Sequence, residues 1–419
     1  MKNFSNLKMV VVFILFYPQF THMLRSEEPR IVEYGTSAAG IHQELNPNFC
    51  WFHPRVAAMP GYGQEGKPAV LVTLQKHLAA SDHFSGLFVM RTNDLGRTWS
   101  KPTDIPELAW REAAGDITVA VIDVTPGWHP QTEKLIAVGA KTLYSKTGAI
   151  LRNTIRSYET SYAVYDPKTD RWTKWQELSM PETETKFFGV GCGCSQWLTQ
   201  PDGKLILPVQ YYSKPGGRWR ATMVECEFDG TNIKFLQHGD ELEVEGGYGF
   251  AEPSLIQLHK KYYLTLRHEH RAYVARGDDG LHFEPYKPWT FDDDQELGNY
   301  NTQTHWLAHQ DGLFLVYTRR GANNDHVTWN RAPLFMAQVD TATLRVLRET
   351  EKILLPDRGV MYGNFGVNPI TPDESWVTDA ELISQLIDVG AGTKPHPRGA
   401  DGTVWLGRVK WSQPSSLVK

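Results

Sequence analysis

Short runs of apolar residues, many of them alternating with polar ones, follow one another along most of the chain. Five of these runs share one form, an apolar segment that ends in polar and often basic residues: AVLVTLQKH, KLIAVGAKTLYS, KLILPVQYY, KYYLTLRHE and LFLVYTRR. Alternation with a period of two is typical of half-buried strands, whereas the longer period of amphipathic helices is almost absent. The pattern predicts an all-β protein of short antiparallel strands.

The strand pattern recurs with a period of roughly 40 to 60 residues, with about four strands in each unit. We place about six units, which begin near Phe49, Asp116, Phe187, Phe250, Thr302 and Phe365. Such a repeat is the sequence mark of a β-propeller, so we predict six blades, with seven as an alternative. Residues 30–34 would pair with the late strand TVWLGRVKW and close the ring. A two-domain β-sandwich is the competing architecture, but it leaves the even spacing unexplained.

The segment RTNDLGRTWS brings an acid, a glycine and a tryptophan into a tight frame. Asp94 can accept hydrogen bonds from backbone N–H groups two residues on, and Gly96 can adopt the positive φ that the turn needs. Trp99 can pack back between layers as an anchor. A second segment, RGDDGLHF, keeps the acid at Asp278 and the glycine at Gly280. These features predict structural hairpin turns rather than a catalytic site.

Composition limits the classes of function that remain. The chain has 419 residues, of which 41% are hydrophobic and 22% charged, and a net charge of -5. A chain of this size can bury a core that needs no disulfide support, and it has no basic footprint for nucleic acid. Fourteen Trp and seventeen Tyr beside 35 Gly and 25 Pro fit short strands joined by tight turns, with some aromatic rings lining a sugar-sized cleft.

The N-terminus predicts the compartment. Lys2 and Lys8 precede the apolar run MVVVFILFY, which is too short to span a bilayer. We therefore predict a secretory signal over residues 1–26, a single domain over residues 27–419, and a secreted or periplasmic protein without stable membrane insertion after cleavage. An uncleaved membrane anchor is the alternative. The four cysteines are too few for a disulfide framework, although one disulfide is possible.

The turn in RTNDLGRTWS resembles the Asp box, or BNR repeat, of the sialidase superfamily, and RGDDGLHF resembles a degenerate second copy. The resemblance extends over most of the chain, from about Phe49 to Trp411. It implies a sialidase-like propeller, while an Asp box by itself implies fold and not chemistry. The activity that the resemblance implies is that of an exo-acting glycosidase, whose partner is a glycan that carries a carboxylate.

Candidate residues for hydrolysis follow from the same resemblance. In FAEPSLIQLHKKYYLTLRHEHR, a Glu begins one strand and an Arg ends the next, as in a sialidase segment. The resemblance implies that Glu252 is the activating carboxylate and that Arg267 clamps the substrate's carboxylate, a task that suits a planar guanidinium. Asp82 precedes the turn at about the distance where sialidases keep their general acid. Arg319 or Arg320 would supply a further arginine of the clamp.

Two positions depart from the sialidase pattern. Sialidases open the first blade with Arg-Ile-Pro, whereas this chain reads WFHPRVAAMP, with His53 beside the proline and Arg55 within the strand. The nucleophilic tyrosine of sialidases would fall in YGNFGVNPI, where the best register offers Phe365, with Tyr362 three residues away. Because phenylalanine cannot attack carbon, ordinary retaining sialidase action is expected only if Tyr362 reaches the site.

A different set of residues suits β-elimination. His53 and His77 end two neighbouring strands, and Tyr144 and Arg156 fall at comparable places in the next unit. Removal of the proton next to a uronate carboxylate needs a positive group, a base and an acid, and these four side chains could supply all three. Their spacing resembles the His, Tyr and Arg sets of propeller-type polysaccharide lyases. A His at a strand end is also often a plain hydrogen-bonding residue.

The remaining polar segments suggest ligand contacts. TRRGANNDHVTWNRAPLF predicts a long loop over the pocket, in which Asn324 and His326 would bind sugar hydroxyls, although Asx-rich segments also simply form turns. The acidic run FDDDQE could bind a structural calcium ion or be a solvated loop. No other cofactor and no metal-bound site is expected. A non-catalytic glycan-binding propeller is the third hypothesis for function.

Overall fold

The computed structural model describes residues 30–78, 82–362, 364–383 and 392–418. The predicted leader over residues 1–26 lies outside them. Ile31–Lys419 form one compact unit. In the described part of the chain, no helix has both the length and the apolar character needed to cross a membrane.

The described residues are almost entirely β-structure, so the prediction of an all-β protein is confirmed. The first fourteen strands are β1 (Tyr34–Gln43), β2 (Phe49–Met59), β3 (Ala69–Leu78), β4 (Phe88–Thr92), β5 (Thr103–Asp104), β6 (Arg111–Ala113), β7 (Ile117–His129), β8 (Lys134–Tyr144), β9 (Tyr158–Asp166), β10 (Arg171–Trp172), β11 (Gln176–Glu177), β12 (Gly189–Gly191), β13 (Leu198–Thr199) and β14 (Leu205–Tyr212). The other strands are β15 (Arg220–Phe228), β16 (Ile233–His238), β17 (Ala251–Leu258), β18 (Lys261–Arg267), β19 (Tyr273–Gly277), β20 (Lys287–Pro288), β21 (His305–His309), β22 (Gly312–Tyr317), β23 (Leu334–Asp340), β24 (Arg345–Val346), β25 (Lys352–Leu355), β26 (Gly366–Thr371), β27 (Glu374–Ala380) and β28 (Thr403–Trp411). Single-turn 3-10 helices lie at Gln64–Gly66, Pro106–Leu108, Thr328–Asn330 and Arg348–Thr350.

The strands form sheets in a propeller-like arrangement. Within the described ranges, four sheets are separate and have four or five strands each: β2–β5, β17–β20, β21–β25, and β26–β28 with β1. Strands β6–β16 form one eleven-stranded sheet. We predicted six blades, with seven as an alternative; this count is wrong, because only four separate sheets of blade size are present among the described residues, beside the eleven-stranded sheet. The reason is a parallel bridge between Val190 of β12 and Glu159 of β9, which joins two antiparallel meanders into one sheet.

The first and last described strands pair with each other. β1 runs antiparallel to β28, from Tyr34 opposite Trp411 to Gln43 opposite Thr403. We predicted this pairing for residues 30–34, but only Tyr34 of that segment takes part in it. β1 begins at Tyr34, so residues 30–33 lie before the strand.

Register shifts interrupt several of the strand pairs, and three of them share a further feature. These three shifts fall between Phe52 and Arg55 in β2, between Ile122 and Thr125 in β7, and between Ala251 and Ser254 in β17. Inside each shift, one residue has a positive φ: His53 at 53°, Asp123 at 59° and Glu252 at 43°. Non-glycine residues rarely adopt this conformation, and bulges of this kind redirect a side chain out of the strand's alternation. Their recurrence indicates a shared constraint on these three side chains.

The turn that contains Asp94 forms as a hairpin anchor, with a different hydrogen-bond pattern from the one we predicted. Asp94 accepts from the backbone N–H of Thr98 at 2.9 Å and from its hydroxyl at 2.6 Å, four residues on rather than two. Gly96 has a φ of 77°, and the ring of Trp99 lies 5.9 Å from that of Trp376. The turn therefore links two sheets through its tryptophan.

In the second turn the acid is not the one we predicted. Asp279, rather than Asp278, accepts hydrogen bonds from two backbone N–H groups at 2.9 and 2.8 Å. Asp278 instead pairs with Lys261 on the surface. Gly280 has a φ of 77°, as the turn requires. The acid of this turn is one residue later because Asp279 stands two and three residues before the N–H groups of Leu281 and His282, which donate to it.

We expect Asp94→Asn to weaken the fold in a pH-dependent way. Hydrogen bonds from the Thr98 hydroxyl and backbone lower the pKa of Asp94 to about 2, below the ordinary Asp value of about 4. The carboxylate therefore stabilises the fold above pH 4, and this contribution is lost as the pH falls from about 4 to about 2. Urea midpoints of both proteins should differ most at pH 7 and converge toward pH 2, with exposed Asp104→Asn as the control. A difference that stays constant with pH would contradict this assignment.

Two further predictions concern the cysteines and the acidic run. The four cysteines are buried and free, so the possible disulfide is not formed.

Acids of FDDDQE form ion pairs with arginines, joining Asp293 to Arg348, Asp294 to Arg345 and Glu296 to Arg320. Much of the negative charge that would attract calcium is thus already balanced by the protein. A calcium site there stays a prediction.

Candidate functional site

A cavity of about 780 Å³ lies where the bulged strands meet. The three bulge residues His53, Asp123 and Glu252 all line it. Other residues that line it and bear on its chemistry are Asp82, Arg152, Tyr248, Arg267, Arg331 and Asn364. A cavity of this volume is in the range of small-molecule and sugar sites. The bulges thus supply the local reason why three side chains from distant parts of the chain face one space.

His53 and Asp123 form a hydrogen-bonded pair inside this cavity. Nε2 of His53 lies 3.0 Å from Oδ1 of Asp123, and the side-chain amide of Asn364 lies 2.6 Å from the same nitrogen. Burial raises the pKa of Asp123, but the charge and hydrogen bond of His53 outweigh it and bring the pKa to about 2. Asp123 is therefore an ionised hydrogen-bond acceptor beside His53 at neutral pH.

His77 also lines the cavity, next to the same pair. Its ring packs against Phe52 and Phe84, at centroid distances of 5.5 and 5.1 Å. Burial, followed by the charge of His53, lowers the pKa of His77 to about 4. His77 is thus neutral at pH 7, and it offers the cavity a polar but uncharged ring.

Glu252 and Arg267 form a largely buried ion pair in the cavity wall. Nε of Arg267 donates to the Tyr248 hydroxyl at 2.9 Å, and another of its nitrogens donates to the Asn301 side chain at 3.1 Å. Oε2 of Glu252 is buried and has no hydrogen-bond partner among the described residues. The guanidinium is therefore held rigidly and its charge is balanced by Glu252.

Arg331 is the functional candidate that the sequence did not reveal. Only 5% of this residue is exposed, and its guanidinium donates to the carbonyl oxygen of Asn301 and stacks 4.7 Å from the ring of Trp329. Its Nε is buried and has no hydrogen-bond partner among the described residues, and the charge of Glu252 attracts the guanidinium without forming a salt bridge to it. Burial, followed by the charge of Arg267, lowers the pKa of Arg331 to about 10. The residue remains a cation at neutral pH, and a buried unpaired cation is costly unless an anion binds beside it.

No family model matches the chain, and no curated protein sequence does. Solved structures do match. A protein of unknown function from Dyadobacter fermentans superposes with a TM-score of 0.60 at 12% identity, over 90% of this chain and 99% of that one. Trypanosoma rangeli sialidase matches with a TM-score of 0.57 at 16% identity, over 90% of this chain and 59% of the other. The chain shares its fold with sialidases.

A bacterial enzyme extends this likeness. The NanB sialidase from Streptococcus pneumoniae matches with a TM-score of 0.57 at 10% identity, over 88% of this chain and 70% of that one. The chain thus spans somewhat more than half of the trypanosomal enzyme and a larger share of the bacterial one. At these identities the likeness concerns the sialidase fold alone, and the chemistry has to be argued from the cavity.

On this sialidase fold, neither Arg319 nor Arg320 reaches the cavity. Arg319 is held by both carboxylate oxygens of Glu351, at 2.8 and 2.7 Å. Arg320 pairs with Glu296 at 2.9 Å on the surface. Arg331, later in the same polar segment, is the arginine that enters the cavity. The path of a long loop depends on its packing, so the sequence could point to this segment but not to the correct arginine.

The residues proposed for elimination do not come together. His53 and His77 line the cavity, but Tyr144 is fully buried outside it and donates to the backbone oxygen of Asp82 at 2.7 Å. The side chain of Arg156 is 71% exposed and lies 3.9 Å from Glu159. Tyr144 therefore positions the Asp82 loop, and Arg156 is a surface residue in the turn before β9.

Asn324 and His326 shape the polar loop instead of facing the cavity. The side-chain amide of Asn324 donates to the carbonyl oxygens of Arg319, Asn330 and Ala332. His326 pairs with Asp357 at 2.6 Å. Both are thus loop-forming residues, in keeping with the turn-forming role that Asx-rich segments often have.

Of the two residues Asp82 and Tyr362, only Asp82 lines the cavity. Asp82 lines the cavity at its rim, where its side chain is 58% exposed and lies 3.6 Å from Arg152. Tyr362 is buried away from the cavity, and its hydroxyl donates to the carbonyl oxygen of Pro356 at 3.0 Å. Phe365 is buried too, with its ring 5.0 Å from that of His305. The tyrosine nucleophile that we expected from the sialidase pattern is therefore not supplied by either residue.

One cluster has the atoms of a metal site. His53, Asp123 and Cys194 each offer a ligand atom, and these atoms lie within 4.8 Å of one another. Buried Arg55 donates to the carbonyl oxygen of Asp123 at 3.1 Å and so places a positive charge beside the cluster. Burial also raises the pKa of the Cys194 thiol well above its ordinary value, which disfavours the thiolate that a metal needs. The positive charges of Arg55 and of the arginines that line the cavity therefore favour a bound anion over a bound cation.

Proposed function

We propose that the protein hydrolyses a glycosidic bond next to an acidic sugar, whose carboxylate binds Arg331 and Arg267. The observation that carries this proposal is the buried guanidinium of Arg331, which faces the cavity without a carboxylate partner. An anionic ligand would remove the cost of burying that charge. The fold shared with sialidases supports a carbohydrate as the ligand, and the signal-like N-terminus supports a secreted or periplasmic location.

The two arginines are arranged to hold one carboxylate. Both contact Asn301, Arg267 through the side-chain oxygen and Arg331 through the backbone oxygen. A guanidinium binds a carboxylate through two parallel hydrogen bonds, and two such groups beside one residue can hold the same carboxylate as a clamp. Because Glu252 already balances Arg267, the net positive charge of the clamp comes from Arg331.

Asp82 is the proposed general acid. Its ion pair with Arg152 spans 3.6 Å and both side chains are about half exposed, an arrangement that contributes at most about 1 kcal/mol. A substrate entering the cavity can therefore displace Arg152 and reach the Asp82 carboxyl group. In the proposed reaction, Asp82 gives its proton to the leaving oxygen as the glycosidic C–O bond breaks. Glu252 keeps Arg267 in place and so supports the clamp.

The proposal is tested by incubating the protein with a panel of sialosides and glucuronate-bearing glycans. We expect new reducing ends without the ultraviolet absorbance of an unsaturated uronate. Growth of that absorbance would instead assign β-elimination, the alternative that the separation of Tyr144 and Arg156 from the cavity disfavours. Binding of a glycan without cleavage would assign a non-catalytic binding propeller. Asp82→Asn should lower kcat/KM by roughly 10² to 10⁴-fold, the usual contribution of a general acid.

A further inference from the structure

The position expected for a tyrosine nucleophile carries no side chain that can attack carbon. Phe365 is buried against His305, and the Tyr362 hydroxyl is bound to a backbone oxygen outside the cavity. The residue that does line the cavity there is Asn364, whose amide contacts His53. An amide is not a nucleophile, so this segment supplies no group that attacks the sugar.

Three carboxylates line the cavity, and they differ in how open they are. Asp82 lies at the rim and is assigned to the leaving oxygen. Glu252 has one oxygen bound to Arg267, and its other oxygen is buried away from solvent. The Asp123 side chain is 19% exposed and lies beside His53 and Asn364. The Glu252 side chain is 13% exposed, so the two inner carboxylates differ mainly in their partners, an arginine for Glu252 and a histidine for Asp123.

From this arrangement we propose that Asp123 is the catalytic nucleophile and that it forms a covalent glycosyl-enzyme during turnover. The inference rests on the proposed hydrolysis and names the residue that performs its central step. The side chain comes from β7, whereas the sialidase pattern places the nucleophile in the YGNFGVNPI segment. The nucleophile has thus moved to a neighbouring part of the same cavity.

The surroundings of Asp123 are those of a positioned nucleophile. Its positive φ turns it out of the strand's alternation, and its backbone oxygen accepts from the Cys194 N–H at 2.9 Å and from Arg55 at 3.1 Å. His53 binds one carboxylate oxygen. These contacts hold the side chain in one orientation toward the cavity that it lines.

The reaction balances in two steps. In the first, an oxygen of Asp123 bonds to the anomeric carbon while the glycosidic C–O bond breaks, and the leaving oxygen takes the proton of Asp82. In the second, Asp82 takes a proton from a water molecule whose oxygen bonds to the anomeric carbon, and the ester bond to Asp123 breaks. The sum is the addition of one water molecule. Two displacements at one carbon retain the anomeric configuration.

The test traps the covalent intermediate on the full chain. We use 2,3-difluorosialic acid and 2-deoxy-2-fluoroglucuronosyl fluoride as probes, and locate the adduct by peptide mass spectrometry. We expect the adduct on Asp123 in the wild type and no adduct in Asp123→Asn. An adduct on Tyr248, Tyr158 or Glu252 would overturn the assignment. The wild-type experiment does not depend on whether the variant folds.

A second measurement covers the case in which hydrolysis occurs but neither probe reacts. The configuration of the first product is followed by NMR with whichever glycan of the panel is cleaved, and retention is expected whereas inversion would overturn the inference. Asp123→Asn should lose about 10³-fold or more in kcat/KM and regain part of it with azide, while Asp104→Asn should behave as the wild type. Absence of any hydrolysis by the wild type would instead overturn the proposed function itself.

Discussion

Arg331→Met should lose roughly 100-fold or more in kcat/KM on the acidic glycan, and its Tm should equal or exceed that of the wild type. The activity falls because the substrate's carboxylate loses its unbalanced positive partner. The fold does not suffer, because methionine fills much of the same space and removes a buried charge that forms no ion pair among the described residues. Steady-state kinetics and differential scanning calorimetry measure the two effects separately.

Arg320→Met is the matched control for this prediction. Arg320 belongs to the same polar segment, but it pairs with Glu296 on the surface, so its loss should leave kcat/KM within about twofold. A neutral glycoside, if it is cleaved at all, should lose much less activity in Arg331→Met than the acidic glycan does. A clear fall in the Tm of Arg331→Met with both substrates equally affected would show that Arg331 has a structural role instead.

Arg267→Met should behave in the opposite way and destabilise the fold by about 3 to 5 kcal/mol, the usual cost of removing one member of a buried ion pair. The loss leaves Glu252 buried without its counter-charge, and Tyr248 and Asn301 lose a hydrogen-bond donor. Urea unfolding at pH 7 measures the free energy of unfolding. Activity should also fall, because the clamp loses one of its two arginines.

The double variant Glu252→Gln with Arg267→Met separates the charge effect from lost packing. Removing both charges should restore most of the free energy of unfolding lost in Arg267→Met, since no uncompensated charge remains. Activity should not return, because neither the clamp nor its support is present. If the two single changes were simply additive, the pair would not be coupled and the assignment of Glu252 as the partner of Arg267 would fail.

Arg331 and Arg267 line the same cavity, but we expect Arg331 to serve substrate binding and Arg267 to serve the stability of the fold. Both are buried guanidiniums beside Asn301, and they differ in whether the protein supplies a carboxylate. A charge that the protein leaves unbalanced stores a cost that a ligand can relieve, whereas a balanced charge fixes local structure. Stability measurements on these variants therefore report which arginine serves the substrate, even before the substrate is identified.

Much of the candidate site could be predicted where the signal was local. Glu252 and Arg267 were found through the resemblance to a sialidase segment, in which they begin and end adjacent strands. His53, His77 and Asp82 also line the cavity, but His53 does so from a bulge inside β2 and not from a strand end. Asp123 was missed, although an acid inside the apolar run VAVIDVT was a signal that could have singled it out. In a regular strand the side chain of Asp123 would follow the alternation of its neighbours. The bulge that turns it toward the cavity is not visible in the sequence.

The amino-acid sequence by itself determined the class of fold and the anchoring turn at Asp94, because period-two alternation and side-chain-to-backbone hydrogen bonds act over a few residues. Only the tertiary structure decided the number of separate sheets, since the bridge between β9 and β12 joins residues far apart in the chain. It also decided that Arg331 and not Arg319 enters the cavity, and that Asp123 faces His53. These outcomes depend on bulges and loop paths that are set by packing between neighbouring sheets, and no short segment encodes that packing alone.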